Sequence, residues 1–454
     1  MANRRRHMPL ALAAWVLAAT GGCAAPEPTA PNLLLIVVDT LRADHLAPYG
    51  YGAAETPRLA RLAQEGARVE TAYAPTATTG PTHAGLFTGR FPRSVGVRRN
   101  AVPLAEDHAT LAEILSAAGW DAAAVVSSFP LHRRFGFAQG FGAYDDEFDP
   151  KLASVRHTRY AGHAVPEGFD RRADATTDRA LAWLASRERQ RRPFFFFVHY
   201  FDPHEPYVAP MPYQRRFSVG ANATLREQAA ALYDAEVAFT DAEIGRLLDG
   251  LAAAGFAENT FVVLTADHGE GLFQHGHLFH DVHLYEEAVR VPLLLRGPGL
   301  ARGLLVEGPV TLLDLLPTLL DLLDVRQPAE ALPGRSFAAV LRGEGGIDAE
   351  RGIVLERREF SAERVGKLSV KGEQLALRRG RWKYIETPEE QRRELYDLYE
   401  DPGERTDLHE SRPAVARKLA EELARWRAAT PAAAAAGPVS PEDRKRLEAL
   451  GYAD

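Results

Sequence analysis

Residues 32–38 read NLLLIVV, an unbroken apolar run of strand length, and Asp39 follows at once. A strand with one wet face alternates polar and apolar residues; a strand covered on both faces, as in a parallel sheet, does not. The run therefore predicts a buried parallel strand. Runs of the same kind recur at 194–198 (FFFFV), 261–265 (FVVLT) and 291–295 (VPLLL), with a weaker one at 122–126. Segments with helical spacing lie between them, at 56–64, 109–118, 173–186, 225–254 and 311–323. Strands alternating with helices predict an α/β sheet with helices on both faces. No repeat period is visible.

The pattern changes after the Arg-Gly-Glu-Gly-Gly of 342–346. Short alternating runs at 353–356, 374–377 and 382–385 predict a small antiparallel sheet, followed by helices over 413–428 and 441–450 with an Ala-rich linker at 429–437. The expected organisation is a catalytic domain over 32–345 and a C-terminal subdomain and tail over 346–454. An irregular insertion, 141–173, is expected to border the pocket.

The 454 residues are 46% hydrophobic and 25% charged, with a formal charge of −7. That suits one large core plus a smaller domain, and Lys and Arg interspersed among acids argue against a nucleic-acid partner. At the N-terminus Arg4-Arg5-Arg6, an apolar stretch over 8–19 and Gly21-Gly22-Cys23 predict a signal peptide over 1–23, with a Pro-rich tether over 24–31. Cys23 is the single cysteine, so no intrachain disulfide exists. Its position resembles a bacterial lipobox with Thr20 in place of the aliphatic residue. The expectation is an exported, periplasmic or cell-envelope protein lipid-anchored at Cys23, with plain secretion as the alternative. Contact with a membrane is expected through that anchor alone, because no later stretch has the roughly twenty apolar residues of a span.

Ligands of doubly wound sheets gather at the carboxyl ends of the strands. Asp39 follows the first strand, Asp202 and His204 follow the second (HYFDPHEPY), and Asp267-His268-Gly269 follow the third (TADHGEG). Taken singly, an Asp here reads as a helix cap and His204 as a turn residue; their recurrence at one topological position marks them for function. Five of the fifteen histidines, 268, 275, 277, 280 and 283, crowd one Gly-containing loop. His277 and His283 individually read as ordinary loop residues. Asp39, Asp267 and His268 suit a divalent ion, with Zn2+ or Mn2+ favoured by the nitrogen ligand and Ca2+ or Mg2+ as alternatives. Residues 78–90 read TTGPTHAGLFTGR, where Thr79 is either a helix cap or a nucleophile. Coordination would activate its hydroxyl, and the helix N-terminus would receive an anion.

These motifs resemble the sulfatase family within the alkaline phosphatase superfamily. LLLIVVDTLRADHLAPYGY (33–51) looks like the opening strand and metal loop, and residues 56–92 look like the following helix and nucleophile segment. TADHGEGLFQHGHLFHDVHLYEEAVRVPLLLRGPG (265–299) is similar to the second metal loop. LYDLYEDPGERTDL (395–408) and SPEDRKRLEALGY (440–452) resemble the closing motif and a tail found in bacterial members. The resemblance implies an alkaline-phosphatase-like large domain with a mixed, mostly parallel sheet between helices, plus a small C-terminal antiparallel subdomain. It also implies an anionic ester as substrate.

The departures fall on the chemistry. The family's Cys (or Ser)-x-Pro-Ser-Arg places Thr79 at the Cys and His83 at the Arg. A threonine cannot become formylglycine, the aldehyde sulfatases use. The family's paired Asp is Asp39-Thr40, and the Lys expected before Tyr285 is missing. Thr-Gly-Pro-Thr-His is instead similar to the Thr-x-Pro-Asn-His of nucleotide pyrophosphatases/phosphodiesterases. Asp39, Thr79, Asp267 and His268 match the one-metal centre of phosphoethanolamine and phosphoglycerol transferases. The resemblance implies a covalent Thr79 intermediate, with Thr79 and His83 catalytic and Asp39, Thr79, Asp267 and His268 holding the ion. Asp202, His204, His275 and His280 would bind substrate or a second metal. A phosphate mono- or diester is expected over a sulfate ester. The alternatives are a sulfatase acting without formylglycine, a phospho-group transferase on envelope lipid or glycan, and an inactive binding lipoprotein.

Overall fold

The computed structural model describes residues 30–148, 169–187, 192–365 and 368–434, with 441, 442 and 445. Cys23, the signal peptide and residues 24–29 of the tether lie outside the described residues, as do 149–168 of the insertion and most of the helix expected at 441–450.

The main sheet contains β1 (Asn32–Val38), β2 (Ala67–Tyr73), β3 (Asp121–Val125), β4 (Ala143–Asp145), β5 (Phe194–Tyr200) and β6 (Thr260–Ala266). A two-strand hairpin, β7 (Gly271–Leu272) and β8 (Leu278–Phe279), sits in the loop after β6. β9 (Arg290–Val291), β10 (Leu293–Arg296) and β11 (Leu304–Thr311) complete the main sheet. Its order is β11-β2-β10-β6-β1-β5-β3-β4, with β9 also pairing with β2. β6, β1, β5, β3 and β4 run parallel to one another. Every residue of β1, β5 and β6 is buried, which is why these strands read as unbroken apolar runs. Helices 57–65, 173–186 and 225–253 pack together, and helix 79–88 packs with 111–117 and 315–322. Among the described residues no helix is long and apolar enough to cross a membrane.

The run at 291–295 differs from its reading. It breaks at Pro292, and β10 lies antiparallel to both β6 and β2. An apolar run reports burial on both faces and carries no information on direction. The helix expected from 311 begins at Leu315, because β11 extends through Thr311. β2 escaped detection because Arg68 and Glu70 interrupt its apolar residues.

The second sheet is antiparallel, with β12 (Ile353–Val365), β13 (Leu368–Arg379), β14 (Trp382–Thr387) and β15 (Arg392–Asp397) in chain order. Alternation sorts its side chains onto two faces. Leu375, Leu377, Tyr384 and Leu395 meet Leu419 and Leu423 of helix Pro413–Ala429, while Leu355, Ala376 and Ile385 pack with Tyr73, Leu284 and Val289 of the large domain.

Register positions the site. Val38 at the end of β1 stands opposite both Tyr200 of β5 and Ala266 of β6. The three strands therefore finish level, and the residues just beyond them share one edge.

Candidate active site

Asp39 is the first residue past β1, with its amide donating to the Tyr200 carbonyl at 2.9 Å. Tyr233, from the long helix 225–253, pins the turn: its hydroxyl donates to Thr40 O (2.7 Å) and accepts from Arg42 N (2.9 Å). Thr40 sits at φ 56°, a left-handed conformation that a β-branched residue rarely adopts. Strain of this kind persists where surrounding contacts over-determine it, and it clusters at functional sites. Here the strained turn directs the Thr40 amide to Asp267 Oδ1 at 3.2 Å.

Asp267 Oδ1 also accepts from the His268 amide at 2.8 Å, whereas Asp267 Oδ2 and both Asp39 oxygens are buried without a hydrogen-bond partner. His268 Nδ1 donates to the Gly269 carbonyl at 3.0 Å, leaving a lone pair on Nε2. That nitrogen lies 3.4 Å from Asp267 Oδ2, 3.7 Å from Asp39 Oδ1 and 3.3 Å from Thr79 Oγ. Two ligands each about 2.1 Å from one ion at a tetrahedral angle stand roughly 3.4 Å apart. The separations between His268 and the carboxylates therefore match ligand pairs and are long for hydrogen bonds. Orphaned buried carboxylate oxygens are costly, and a cation among them removes the cost. Burial, Asp267 and Glu270 push the Asp39 carboxyl well above its usual range. Burial also acts to raise Asp267, but His268, His83 and His199 outweigh it and hold it low. Asp39, Asp267 and His268 thus form a group able to hold a divalent metal ion. Gly269 completes the turn, since a Cβ there would lie 2.0 Å from the Glu287 carbonyl.

Thr79 opens helix Thr79–Thr88, which is buried along its whole length. Its neighbour Thr78 is extended and hydrogen-bonds to Asp281. The anion cradle expected at this helix end is reduced. Gly80 N–H donates to Asn100 Oδ1 at 2.7 Å, Pro81 has no N–H, and Thr82 N–H bonds to Thr78 O.

The remaining predicted residues separate into two groups. His204 and His280 approach the centre: the His280 ring lies 4.5 Å from that of His268 and 5.0 Å from that of His204. His204 Nδ1 donates to Glu205 O at 2.6 Å, and His280 Nδ1 pairs with Glu270 at 3.2 Å. Burial and His280 lower the His204 imidazole to about 3, and burial raises Glu270 to about 7. Asp202 and His275 are committed elsewhere. Asp202 accepts from Ala173 N at 2.6 Å, at the start of helix 173–186, and shares a hydrogen bond with Glu236. His275 stacks on Tyr285 and uses both nitrogens, on Glu287 and Glu404 O. The quartet read as a second metal site therefore does not converge. His83 faces into the fold: its Nδ1 donates to Thr79 O at 2.8 Å and lies 3.9 Å from Asp267 Oδ2, and its ring packs among Phe87, Phe137 and Phe197.

Sequence reasoning missed His199. Its Nε2 stands 3.6 Å from Asp39 Oδ2, and neither ring nitrogen has a hydrogen-bond partner. The available signal was an imidazole inside an otherwise apolar strand, FFFFVHY, at the level of Val37.

The family model described as Sulfatase matches residues 31–325, and that described as N-sulphoglucosamine sulphohydrolase, C-terminal, matches residues 274–429. The choline-sulfatase of Rhizobium meliloti is 26% identical over 440 residues, covering 84% of this chain and 83% of the relative. The multifunctional alkaline phosphatase superfamily protein PehA of Trinickia caryophylli is 28% identical over 402 residues, covering 69% and 77%. Among solved structures, the phosphonate monoester hydrolase of Agrobacterium radiobacter has a TM-score of 0.73 at 23% identity, covering 88% of this chain and 96% of that one.

Proposed function

The chain belongs to the sulfatase family of ester-bond hydrolases in the alkaline phosphatase superfamily, and from that premise we propose that it hydrolyses phosphate mono- or diesters through a covalent intermediate on Thr79. The observation that carries the reading is the Thr79 hydroxyl, 3.3 Å from His268 Nε2 beside two buried carboxylates. A threonine at this position has no route to formylglycine, so its own oxygen is the nucleophile.

Asp39, Asp267 and His268 would hold the ion, which would supply positive charge beside the attacking oxygen and the transferring group. Thr79 Oγ forms a bond to phosphorus while the ester P–O bond breaks in line. The proton lost by Thr79 is balanced by the one the departing alcohol gains. Water then attacks phosphorus, the Thr79–phosphorus bond breaks, and the threonine recovers its proton. His204 and His280, bordering His268, are the imidazoles to contact the phosphoryl oxygens or pass a proton to the leaving group. His83 positions the threonine through its carbonyl.

A second reading, direct attack of Thr79 on a sulfate ester, is favoured by the choline-sulfatase likeness. One assay separates the two: turnover of a phosphomonoester, a phosphodiester and a sulfate ester by wild type and Thr79→Ala, with mass spectrometry of the acid-quenched enzyme. We expect phosphoester turnover and a phosphorylated peptide containing Thr79, both lost in the variant. Undiminished turnover by Thr79→Ala would sink the mechanism. The proposal extends to export and a lipid anchor at Cys23, which predicts that Cys23→Ser moves the protein from the membrane fraction to the soluble one.

A further inference from the structure

His280, whose ring lies 4.5 Å from that of His268, stands between two residues in the left-handed region, Phe279 at φ 85° and Asp281 at φ 75°. For a bulky side chain such as Phe279 this is a genuine outlier, whereas Asp visits the region more readily. Such strain persists only where contacts over-determine it. Phe279 is fixed by the β7–β8 hairpin: it pairs with Gly271, where a Cβ would lie 2.6 Å from the Phe279 carbonyl. Asp281 is fixed through its side chain.

An Asp that merely makes a turn bonds to its own neighbours in the chain. Asp281 reaches much further, to residues 203 and 77 positions away. Its Oδ1 accepts from the Thr78 hydroxyl, and its Oδ2 accepts from Arg358 Nε at 3.2 Å. Arg358 is held in its turn, with its guanidinium 3.6 Å over the ring of Phe360, which packs with Val282 and Val370. Burial acts to raise the Asp281 carboxyl, but Arg358 and the Thr78 hydroxyl outweigh it and hold it below its ordinary range. It is therefore an anionic anchor at neutral pH. Thr78 is buried and extended, its carbonyl accepts from Thr82 N at 3.0 Å, and helix Thr79–Thr88 starts directly after it. The hydroxyl that follows is the one 3.3 Å from His268 Nε2.

We propose that Asp281 is a positioning residue for ester cleavage: its carboxylate fixes Thr78, and with it the Thr79 hydroxyl, while its backbone fixes His280. One residue thereby holds the attacking oxygen and the imidazole in register from two distant parts of the chain. This rests on the threonine mechanism and adds to it the group that aligns its partners.

The test follows turnover, by the full chain, of whichever phosphate or sulfate ester wild type cleaves fastest. Thr78→Val, Thr78→Ser, Asp281→Gly and the Thr78→Val/Asp281→Gly pair are compared, beside Thr79→Ala. Valine keeps the shape of threonine without its hydroxyl, and glycine adopts φ 75° without strain. Thr78→Val and Asp281→Gly are each expected to lower kcat by about 10- to 100-fold with KM within about threefold, the cost of misaligning reacting groups by ~1 Å. The pair should be no worse than the more severe single change, because both remove the same bond. Thr78→Ser should recover most of the lost kcat. Asp281→Gly also strips Arg358 of its partner and should lower the urea midpoint. Thr78→Val leaves that ion pair in place, so it decides the matter should the glycine variant fold poorly. Wild-type kcat in Thr78→Val, losses that multiply in the pair, or an equal loss in Thr78→Ser each overturn the inference and leave the threonine mechanism standing. Full turnover by Thr79→Ala, or none by wild type, overturns the mechanism and this inference with it.

Discussion

The hydroxyl of Thr79 and the lone pair of His268 meet at 3.3 Å because two local constraints aim them. The His268 ring is oriented by its bond to Gly269 O, and the Thr79 carbonyl is held by His83. Thr79→Ala is expected to lower kcat/KM by on the order of 10^3-fold or more. Thr79→Ser, which keeps the oxygen, should retain turnover well above that level in the same assay. Gly269 is constrained differently, by the approach of the Glu287 carbonyl to where a Cβ would stand. Gly269→Ala should therefore destabilise the fold by roughly 1–3 kcal/mol, as overpacking does, read as a lowered urea midpoint. Arg42 supports the same turn from below, donating to Glu270 O at 2.9 Å and pairing with Asp44. It illustrates how a buried charge can serve as scaffold.

Three strands of one length and register deliver the site; among the described residues no helix contributes more than Thr79 and its carbonyl partner. The long helix 225–253 acts from outside, through Tyr233 on the Thr40 turn and through Glu236 on Asp202. That acid pair has a measurable consequence. Burial raises both carboxyls, Asp202 to about 7 and Glu236, which also feels Asp202, well above its usual range. The folded state then binds more protons than the unfolded chain across pH 4–7, so stability is complete below the ordinary carboxylate range and falls as pH rises. The midpoint of thermal unfolding should drop between pH 5 and pH 8. Glu236→Gln should remove that part of the drop while leaving the acid side similar. Parallel declines in both proteins would exclude the pair as the cause.

Across the molecule, the small sheet is joined to the loops behind the site through charge as well as apolar packing. Lys383 of β14, 0% exposed, lies 2.9 Å from Glu286 and 2.9 Å from Glu404. Removing one partner of such a network leaves buried carboxylates uncompensated. Lys383→Met is expected to cost about 3–5 kcal/mol, measured by denaturant unfolding of the full chain. Arg358 of β12 bonds to Asp281, which also holds Thr78, so the second sheet reaches to within one residue of Thr79. Ion removal belongs to this scale too. Chelation should lower the unfolding midpoint and abolish turnover, with Zn2+ or Mn2+ restoring both. At a hundredfold excess over Kd the restored stability is about 2.7 kcal/mol per site.

The sequence alone determined the elements whose cause is local. Strands buried on both faces announce themselves as NLLLIVV, FFFFV and FVVLT, and Asp39 and the Asp267-His268 pair stand just past the first and third of them. Alternation in 353–385 announced a sheet with two different faces. Only the tertiary structure decided that β10 runs antiparallel, that His199 and not His275 meets the carboxylates, and that His83 turns inward. The reason is physical. Burial leaves its mark on the composition of each segment, whereas convergence depends on strand register between residues such as Asp39 and His199, far apart in the chain, which no local period encodes.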